Sequence, residues 1–210
     1  MLKRAFDFFL ALFGLCLSSW LWLIIGLEIL LESGLPIFYF QERVGKDGEV
    51  FKGIKFRSMI KGAERDVGPL QAKEDDARVT RLGRVLRATA MDELPQLWNI
   101  LKGEMSFVGP RALRPIEIDT EDGLPKSVEE FAGFRERCLI RPGLTGIAQI
   151  LAPRDISRQE KFRYDIWYLQ HRNPWLDIRI ILISFLITFR AKWETRKERF
   201  SALPLIDIKL

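Results

Sequence analysis

The longest pattern in the chain is an apolar run near the N-terminus. Residues 8–27 contain no charged side chain, and Glu28 is the first charged residue after them. As a helix this run would measure about 30 Å, the thickness of the hydrocarbon core of a bilayer. It is too long for a cleaved signal peptide, and no small-x-small cleavage site follows it. A buried helix of a soluble protein is the alternative, but the pattern favours a membrane-associated helix within residues 1–35.

Positive charge lies on both sides of this run. Two basic residues precede it, and five Lys or Arg residues follow it within residues 43–57. Cytoplasmic flanks of membrane segments collect Lys and Arg, so both ends are predicted to be cytoplasmic. That arrangement favours a re-entrant, monotopic helix over a single straight span. A bend needs a local cause, and Gly14, Ser18 and Ser19 are the candidates because the run contains no proline.

Shorter patterns predict the other elements. Alternation at 37–41 and Val50–Phe56 around a glycine-rich turn predicts a β-hairpin. Apolar spacing predicts helices at 94–101, near 128–135, at 159–171 and at 175–189. The last is too short in its uncharged part to span a bilayer, so it is predicted to lie in the core or in the interface plane. The predicted fold class is α+β, mainly helical, with a small hairpin or sheet and in-plane interfacial helices.

The predicted domains are a membrane helix at 1–35, a catalytic domain at 36–190 and a C-terminal tail at 191–210. Residues 61–76 are predicted to form a polar, mobile loop. The tail shows no clear element, and the chain shows no internal repeat.

Composition narrows the class of partner. A net charge of +5 favours anionic partners such as phosphates or anionic lipid. The basic residues are interspersed with 28 acidic ones and no recognition motif is visible, so no nucleic-acid partner is predicted. The single histidine, His171, excludes multi-histidine metal sites. The two cysteines show neither metal spacing nor a disulfide framework, which fits a reducing compartment.

An adjacent acidic pair, Asp92 and Glu93, lies where the predicted helix at 94–101 begins. In one interpretation Thr89 caps this helix and the acids complement the positive end of its dipole. In the other, Asp92 is an ionised carboxylate that attacks phosphorus or holds a divalent cation. The pair by itself leaves both interpretations open.

Cations cluster around this pair in the sequence. Arginines at three-residue spacing from Arg78 to Arg87 lead into it, and Arg87 could meet a phosphate or pair with Asp92. Turns that end or begin with arginine, at 106–111 and 141–146, suit a phosphate because they combine backbone N–H groups with a planar cation. Lys and Arg at 52, 55 and 57 alternate with apolar residues, which fits either a half-solvated ribbon or cations aimed at a phosphate or a lipid surface.

Together these segments resemble a known family. The segments are KRAFDF at 3–8, KFRSM at 55–59, the run at 80–111 that contains DELPQLWN and SFVGPR, RPGLTG at 141–146 and KFRYDIWY at 161–168. They closely resemble the bacterial sugar transferases, also called small monotopic phosphoglycosyl transferases. The resemblance extends to about residue 190. Without a multi-span N-terminal region, the chain is similar to the minimal form of the family. The family commonly breaks its membrane helix at Ser-Pro, whereas here Trp20 follows Ser19.

The resemblance implies an activity and a location. Such enzymes work at the cytoplasmic face of the bacterial inner membrane, among its lipids. They transfer a sugar-1-phosphate from a UDP-sugar to undecaprenyl phosphate and release UMP. A membrane-anchored scaffold that binds anionic partners is the alternative, and the apolar helix with its two tryptophans is compatible with a homodimer.

The resemblance also implies roles for residues. Asp92 matches the family's nucleophile, and Glu93 matches the residue that helps hold Mg²⁺. Arg87 and Arg111 match substrate-contacting arginines. Further substrate-binding candidates, matched to other motif positions, are Lys55, Arg141 and Asp165.

Overall fold

The computed structural model describes residues 2–63, 76–118, 124–152 and 156–189. Its helices are α1 (Leu2–Ser33), α2 (Arg81–Ala88), α3 (Gln96–Lys102), α4 (Phe134–Arg137), α5 (Ile147–Leu151), α6 (Arg158–His171) and α7 (Pro174–Phe189). Its strands are β1 (Phe38–Val44), β2 (Val50–Phe56), β3 (Ser106–Val108), β4 (Ile116–Ile118), β5 (Pro125–Ser127) and β6 (Gly143–Thr145). The strands form the two-stranded sheets β1–β2, β3–β6 and β4–β5. The prediction of a mainly helical fold with small sheets is confirmed.

The chain divides into two compact units. Within the described residues, the first unit contains 2–41, 52–63, 76–103 and 187–189. The second contains 42–51, 104–118, 124–152 and 156–186. The predicted tail at 191–210, and most of the predicted loop at 61–76, lie outside the described residues. The predicted domain boundaries stay predictions.

Helix α1 extends the predicted apolar run at both ends and is 32 residues long. In the part of the chain that the structure describes, it is the one helix long and apolar enough to cross a membrane. Only 11% of its most apolar stretch is buried, which argues against the core helix of a soluble protein. The buried positions fall near its two ends, at Asp7 and Ala11 and at Ile25, Gly26 and Ile29.

The two serines proposed as bend positions bond to the helix backbone. Ser18 Oγ donates to the carbonyl of Gly14 at 2.7 Å, and Ser19 Oγ donates to that of Cys16 at 2.9 Å. Such bonds bend a helix weakly. The helix is continuous through these residues, so its re-entrant topology stays a prediction.

The first core joins α1 to the hairpin and to α2. Its fully buried members are Ile25, Ile29, Phe56 and Leu86. The Phe56 ring stacks on Phe38 with centroids 5.4 Å apart. Each of these side chains contributes about 1.5–3 kcal/mol through burial. The part of α1 from Leu21 to Ile29 therefore packs into this core.

The hairpin confirms the predicted β2, whereas β1 continues beyond the predicted end to Val44. The turn between them bends at Asp47 and Gly48, which have φ angles of 58° and 81°. Arg57, just after β2, is buried, and its Nη2 donates to the carbonyls of Ser33 and Gly34 at 2.8 and 2.5 Å. Both sequence interpretations of this ribbon are therefore wrong for Arg57, because its guanidinium caps the C-terminal end of α1.

The second unit has its own core, formed by Val44, Leu113, Val128, Phe131, Phe134, Cys138 and Phe162. The helix predicted near 128–135 is split into a 3₁₀ turn and α4, because Gly133 between them has a φ of 88°. Helices α6 and α7 confirm their predictions. Within the second unit, α7 buries Leu176, Ile180 and Ile183 and exposes apolar side chains on its other side.

Candidate active site

The acidic pair lies in a 3₁₀ turn, Met91–Glu93, that joins α2 to α3. Thr89 does not cap α3, contrary to the first interpretation, because its hydroxyl donates to Val85 O of α2 at 2.8 Å. Ala90 follows with φ 54° and ψ 19°, a left-handed conformation that costs a non-glycine residue about 1–2 kcal/mol. Strain of this kind is found preferentially at functional sites. The turn therefore presents the acids ahead of α3 rather than within its first turn.

Asp92 and Glu93 are differently placed within the turn. Asp92 is buried, with 8% of its surface exposed. The Glu93 side chain is 17% exposed, and its Oε1 forms an ion pair with the ammonium of Lys55 on β2. Arg87, in the last turn of α2, is half-buried in the same unit. The structure thus brings four of the candidate residues into one compact unit.

Asn99 fixes β2 against α3. It is fully buried, accepts a hydrogen bond from the backbone N–H of Ile54 at 3.1 Å and donates one to Lys52 O at 2.8 Å. Both partners flank the stretch of β2 that leads to Lys55. Sequence reasoning did not assign Asn99 a role. The available signal was an amide within an otherwise apolar helix pattern, since a buried amide must find partners.

In the second unit the two turn motifs interlock. Strands β3 and β6 pair in parallel, with Ser106 opposite Gly143 and Val108 opposite Thr145. Gly109 N donates to Thr145 O at 3.0 Å, and Gly143 N donates to Pro110 O at 2.8 Å. A Cβ added at Gly143 would collide with the backbone of Gly109. Glycine is required here by this close approach of two backbones.

The pairing of β3 with β6 holds the backbones of Arg111 and Arg141 in fixed positions relative to each other. Arg111 forms an isolated bridge with Gly143, two residues beyond Arg141. The Arg111 side chain is exposed, and that of Arg141 is half-buried. The two motifs that the sequence analysis treated as separate phosphate-suited turns are therefore one structural feature.

Asp165 is buried behind this feature, 3% exposed. Its Oδ2 accepts hydrogen bonds from Arg137 Nε and Nη2 at 3.2 and 3.0 Å. Arg137 Nη2 also donates to Arg111 O at 2.6 Å, and its guanidinium lies 4.3 Å from the ring centre of Phe162. Burial raises the pKa of Asp165, and the charge and hydrogen bonds of Arg137 oppose that rise.

The network from Asp165 through Arg137 gives Asp165 an indirect contact with the backbone of Arg111. Arg137 is a residue that sequence reasoning missed, and a single arginine in a polar segment carries no signal of burial. The candidates Arg111, Arg141 and Asp165 belong to the second unit, whereas Lys55, Arg87, Asp92 and Glu93 belong to the first. Their assignment as site residues stays a prediction.

The donor set of the acidic turn bears on the predicted Mg²⁺. Among the described residues, no group of three or more His, Cys, Asp or Glu side chains could hold a metal ion. Mg²⁺ is commonly bound by only one or two carboxylates, with water and substrate phosphates completing its shell. The two adjacent carboxylates of Asp92 and Glu93 fit that mode and do not fit a cage built from protein alone.

Comparison with known proteins gives consistent matches. Residues 1–191 match the family model described as bacterial sugar transferase. The chain is 39% identical over 183 residues to EpsL of Bacillus subtilis, an uncharacterized sugar transferase, covering 87% of this chain and 85% of that protein.

Two longer relatives have names that state a reaction. The chain is 39% identical over 189 residues to the UDP-glucose:undecaprenyl-phosphate glucose-1-phosphate transferase of Escherichia coli, covering 88% of this chain and 39% of that enzyme. It is 38% identical over 184 residues to the UDP-N-acetylgalactosamine-undecaprenyl-phosphate N-acetylgalactosaminephosphotransferase of Aeromonas hydrophila, covering 86% and 42%. The chain thus spans most of EpsL but about two fifths of these two relatives.

Proposed function

Because this chain belongs to the bacterial sugar transferase family, we propose that it is a phosphoglycosyl transferase. It would move a sugar-1-phosphate from a UDP-sugar to undecaprenyl phosphate and release UMP. The observation that carries the proposal is the acidic turn, in which buried Asp92 stands beside a Glu93 already paired with a cation. Such a turn concentrates a nucleophile, a metal ligand and a positive charge, which are what phosphoryl transfer requires.

The proposed chemistry has two displacements at one phosphorus. A carboxylate oxygen of Asp92 attacks the phosphorus that bears the sugar, and the P–O bond to UMP breaks as UMP leaves. The product is a sugar-phosphate ester of Asp92. An oxygen of undecaprenyl phosphate then attacks the same phosphorus and displaces the carboxylate, giving undecaprenyl diphosphate sugar. Division into two steps lets UMP leave before the lipid reacts.

The other candidate residues would bind the diphosphate. Arg87, Arg111 and Arg141 supply planar cations that match phosphate oxygens, and Lys55 supplies a compact one. Asp165 would act at one remove, by holding Arg137 and through it the backbone of Arg111. These cations stabilise charge on the equatorial oxygens as it develops.

Glu93, with Asp92 beside it, would hold Mg²⁺ together with the substrate phosphates. The bound ion would supply charge neutralisation on the diphosphate. Lys55 keeps the charge of Glu93 compensated before any ion binds.

The proposed location is the cytoplasmic face of the bacterial inner membrane, with α1 re-entrant. Basic residues on both flanks of α1 support this topology. The test is accessibility labelling of single cysteines placed at the N-terminus and in the tail, in a chain from which Cys16 and Cys138 have been removed. Labelling of both from the cytoplasmic side is expected, and labelling from opposite sides would overturn the topology.

The experiment that tests the function is UMP release from a panel of UDP-sugars with undecaprenyl phosphate. Wild-type protein is expected to release UMP with at least one donor and to retain labelled sugar-phosphate before acceptor is added. Asp92→Asn is expected to lose both while keeping the wild-type unfolding temperature. Asp47→Asn, an exposed position in the hairpin turn, is the matched control. Near-normal UMP release by Asp92→Asn would favour the scaffold. So would a loss of UMP release that is explained entirely by weaker binding of the variant to the membrane.

A further inference from the structure

The N-terminal end of α1 is bonded to the C-terminal end of α3. Arg4 Nη1 donates to Ile100 O and Nη2 donates to Leu101 O, both at 2.6 Å. These carbonyls belong to the last turn of α3, which carries the negative end of the helix dipole. Gly103 ends α3 with a φ of 91°, and a Cβ there would lie 3.1 Å from Arg4 Nη2. Glycine at this position serves both the helix end and the arginine.

The opposite end of α1 is bonded to the N-terminal end of α2. Glu32 Oε1 accepts a hydrogen bond from the backbone N–H of Arg81 at 2.8 Å, and both carboxylate oxygens lie 3.3 Å from Leu82 N. These N–H groups belong to the first turn of α2, where a negative charge complements the dipole. Thr80 caps the same end through Gly83 N. Glu32 therefore completes the cap from another element.

Between these two ends α1 stays in contact with the same segment. Gly14 lies close to Leu97 of α3, since a Cβ at Gly14 would be 3.2 Å from that side chain. Ile25 and Ile29 pack with Leu86 of α2. The segment α2–turn–α3 is thus held at both outer ends and along its length by one helix. The turn with Asp92 and Glu93 lies between the two bonded ends.

We propose that α1 is a positioning element for the acidic turn in addition to a membrane element. Arg4 and Glu32 are its positioning residues. Each holds the outer end of one helix, so together they fix the spacing and tilt of α2 and α3 and hence the orientation of the carboxylates between them. The catalytic consequence rests on the proposed function of Asp92 and Glu93. The conformational consequence does not.

The test uses the full chain in detergent, where membrane partitioning cannot limit activity. Arg4→Gln and Glu32→Ala each remove one bonded end. Lys3→Gln and Glu28→Ala are matched controls, because both are exposed positions of α1 beside the residues tested. The readouts in detergent are kcat and KM for the UDP-sugar and amide hydrogen exchange of the peptide over 89–94. Co-sedimentation with anionic vesicles is measured separately, after the detergent has been removed.

We expect kcat of Arg4→Gln and Glu32→Ala to fall by about 10- to 100-fold with a much smaller change in KM, because misplacement of reacting groups acts on the chemical step. Amide exchange over 89–94 should accelerate in both, and neither control should change. Glu32→Gln should recover activity, because its amide oxygen still accepts from the N–H groups of α2. The double variant should lose less than the product of the single losses, because both residues hold one turn.

Unchanged kcat and unchanged exchange in both variants would overturn the proposal. An equal loss of activity in the control variants would also overturn it. So would a loss of activity that correlates with weaker vesicle binding and not with faster hydrogen exchange. If wild-type protein released no UMP from any donor, the proposed function would fail. The hydrogen-exchange measurement alone would then test whether α1 positions the turn. Faster exchange confined to Arg4→Gln and Glu32→Ala would support positioning, whereas equal exchange in all variants would overturn it.

Discussion

Lys55 and Glu93 form an ion pair across β2 and the turn that precedes α3. Both side chains are 17% exposed, so water screens the pair less than it screens a surface pair. The Lys55 ammonium is bound to the Glu93 carboxylate, which we propose as the Mg²⁺ ligand. Lys55 therefore has two opposing effects, since it competes with the metal for Glu93 and offers a cation to the diphosphate.

Replacing Lys55 by methionine separates these effects. In Lys55→Met we expect the Mg²⁺ concentration for half-maximal activity to fall by up to about fivefold, which corresponds to about 1 kcal/mol of lost competition. At saturating Mg²⁺, kcat should fall because a phosphate-binding cation is gone. Titration of UMP release with Mg²⁺ measures both. Lys52→Met, an exposed neighbour on β2, is the control. A higher Mg²⁺ requirement in Lys55→Met would show that the lysine assists metal binding.

Removal of divalent cations should stop UMP release. Excess chelator is expected to abolish turnover of wild-type protein, and added Mg²⁺ should restore it. Glu93→Gln should require more Mg²⁺ by at least about 10- to 100-fold, the cost seen even for partners outside a metal's coordination shell. Full activity in chelator would contradict the role given to Glu93. An unaltered unfolding temperature is the check that Glu93→Gln is folded.

Asn99 should stabilise the folded protein in addition to holding β2 against α3. Asn99→Leu leaves the N–H of Ile54 and the carbonyl of Lys52 without their partner, and we expect a loss of about 2–4 kcal/mol in the free energy of unfolding. Asn99→Asp keeps the acceptor for Ile54 but places a buried carboxylate against the carbonyl of Lys52. Its loss should therefore be large near neutral pH and smaller in acid, where the protonated carboxyl can donate to that carbonyl. Denaturant unfolding in detergent measures the difference. A loss in Asn99→Asp that does not change with pH would contradict this account of the Lys52 contact.

Ala90 offers a substitution that should gain stability and lose activity. Ala90→Gly removes the penalty of the left-handed conformation, so the free energy of unfolding should rise by up to about 1 kcal/mol. The freer backbone next to Asp92 should lower kcat, because orientation of the carboxylate is less restricted. The control is Ala88→Gly at the end of α2, which should lose about 0.5–1 kcal/mol. A destabilised Ala90→Gly would mean that the observed φ is not strained.

The buried pair of Arg137 and Asp165 predicts a pH-dependent variant. Arg137→Met leaves the Asp165 carboxylate buried without its cation, and we expect a loss of about 3–5 kcal/mol near neutral pH. Burial raises the pKa of Asp165 from its ordinary value of 3.8, and loss of Arg137 removes the largest influence that opposes this rise. A raised pKa means that stability is retained below pH 3.8 and is lost as pH rises toward the folded-state pKa.

The loss in Arg137→Met should therefore be smallest in acid and grow with pH, as measured by unfolding temperature across that range. Asp165→Asn in the same background should remove the pH dependence, because the amide does not ionise. A pH-independent loss in Arg137→Met would contradict this account.

Local patterns predicted much of the fold. The long uncharged run located α1. Apolar spacing located α3, α6 and α7, because helices bury faces at a fixed period. The glycine-rich turn located the hairpin. The pattern near 128–135 failed in detail, because Gly133 interrupts a helix that the side chains alone favour.

The sequence by itself determined which side chains were available: an acidic pair before a short helix, arginines beside glycine-rich turns, and a long uncharged helix. These follow from order along the chain, which sets period, turn and charge. Only the tertiary structure decided that Lys55 meets Glu93, that Asn99 fixes β2, that Arg57 caps α1 and that Arg137 joins Asp165 to Arg111. Each contact joins residues far apart in sequence, and a single hydrogen bond or ion pair between them leaves no periodic signal in the chain.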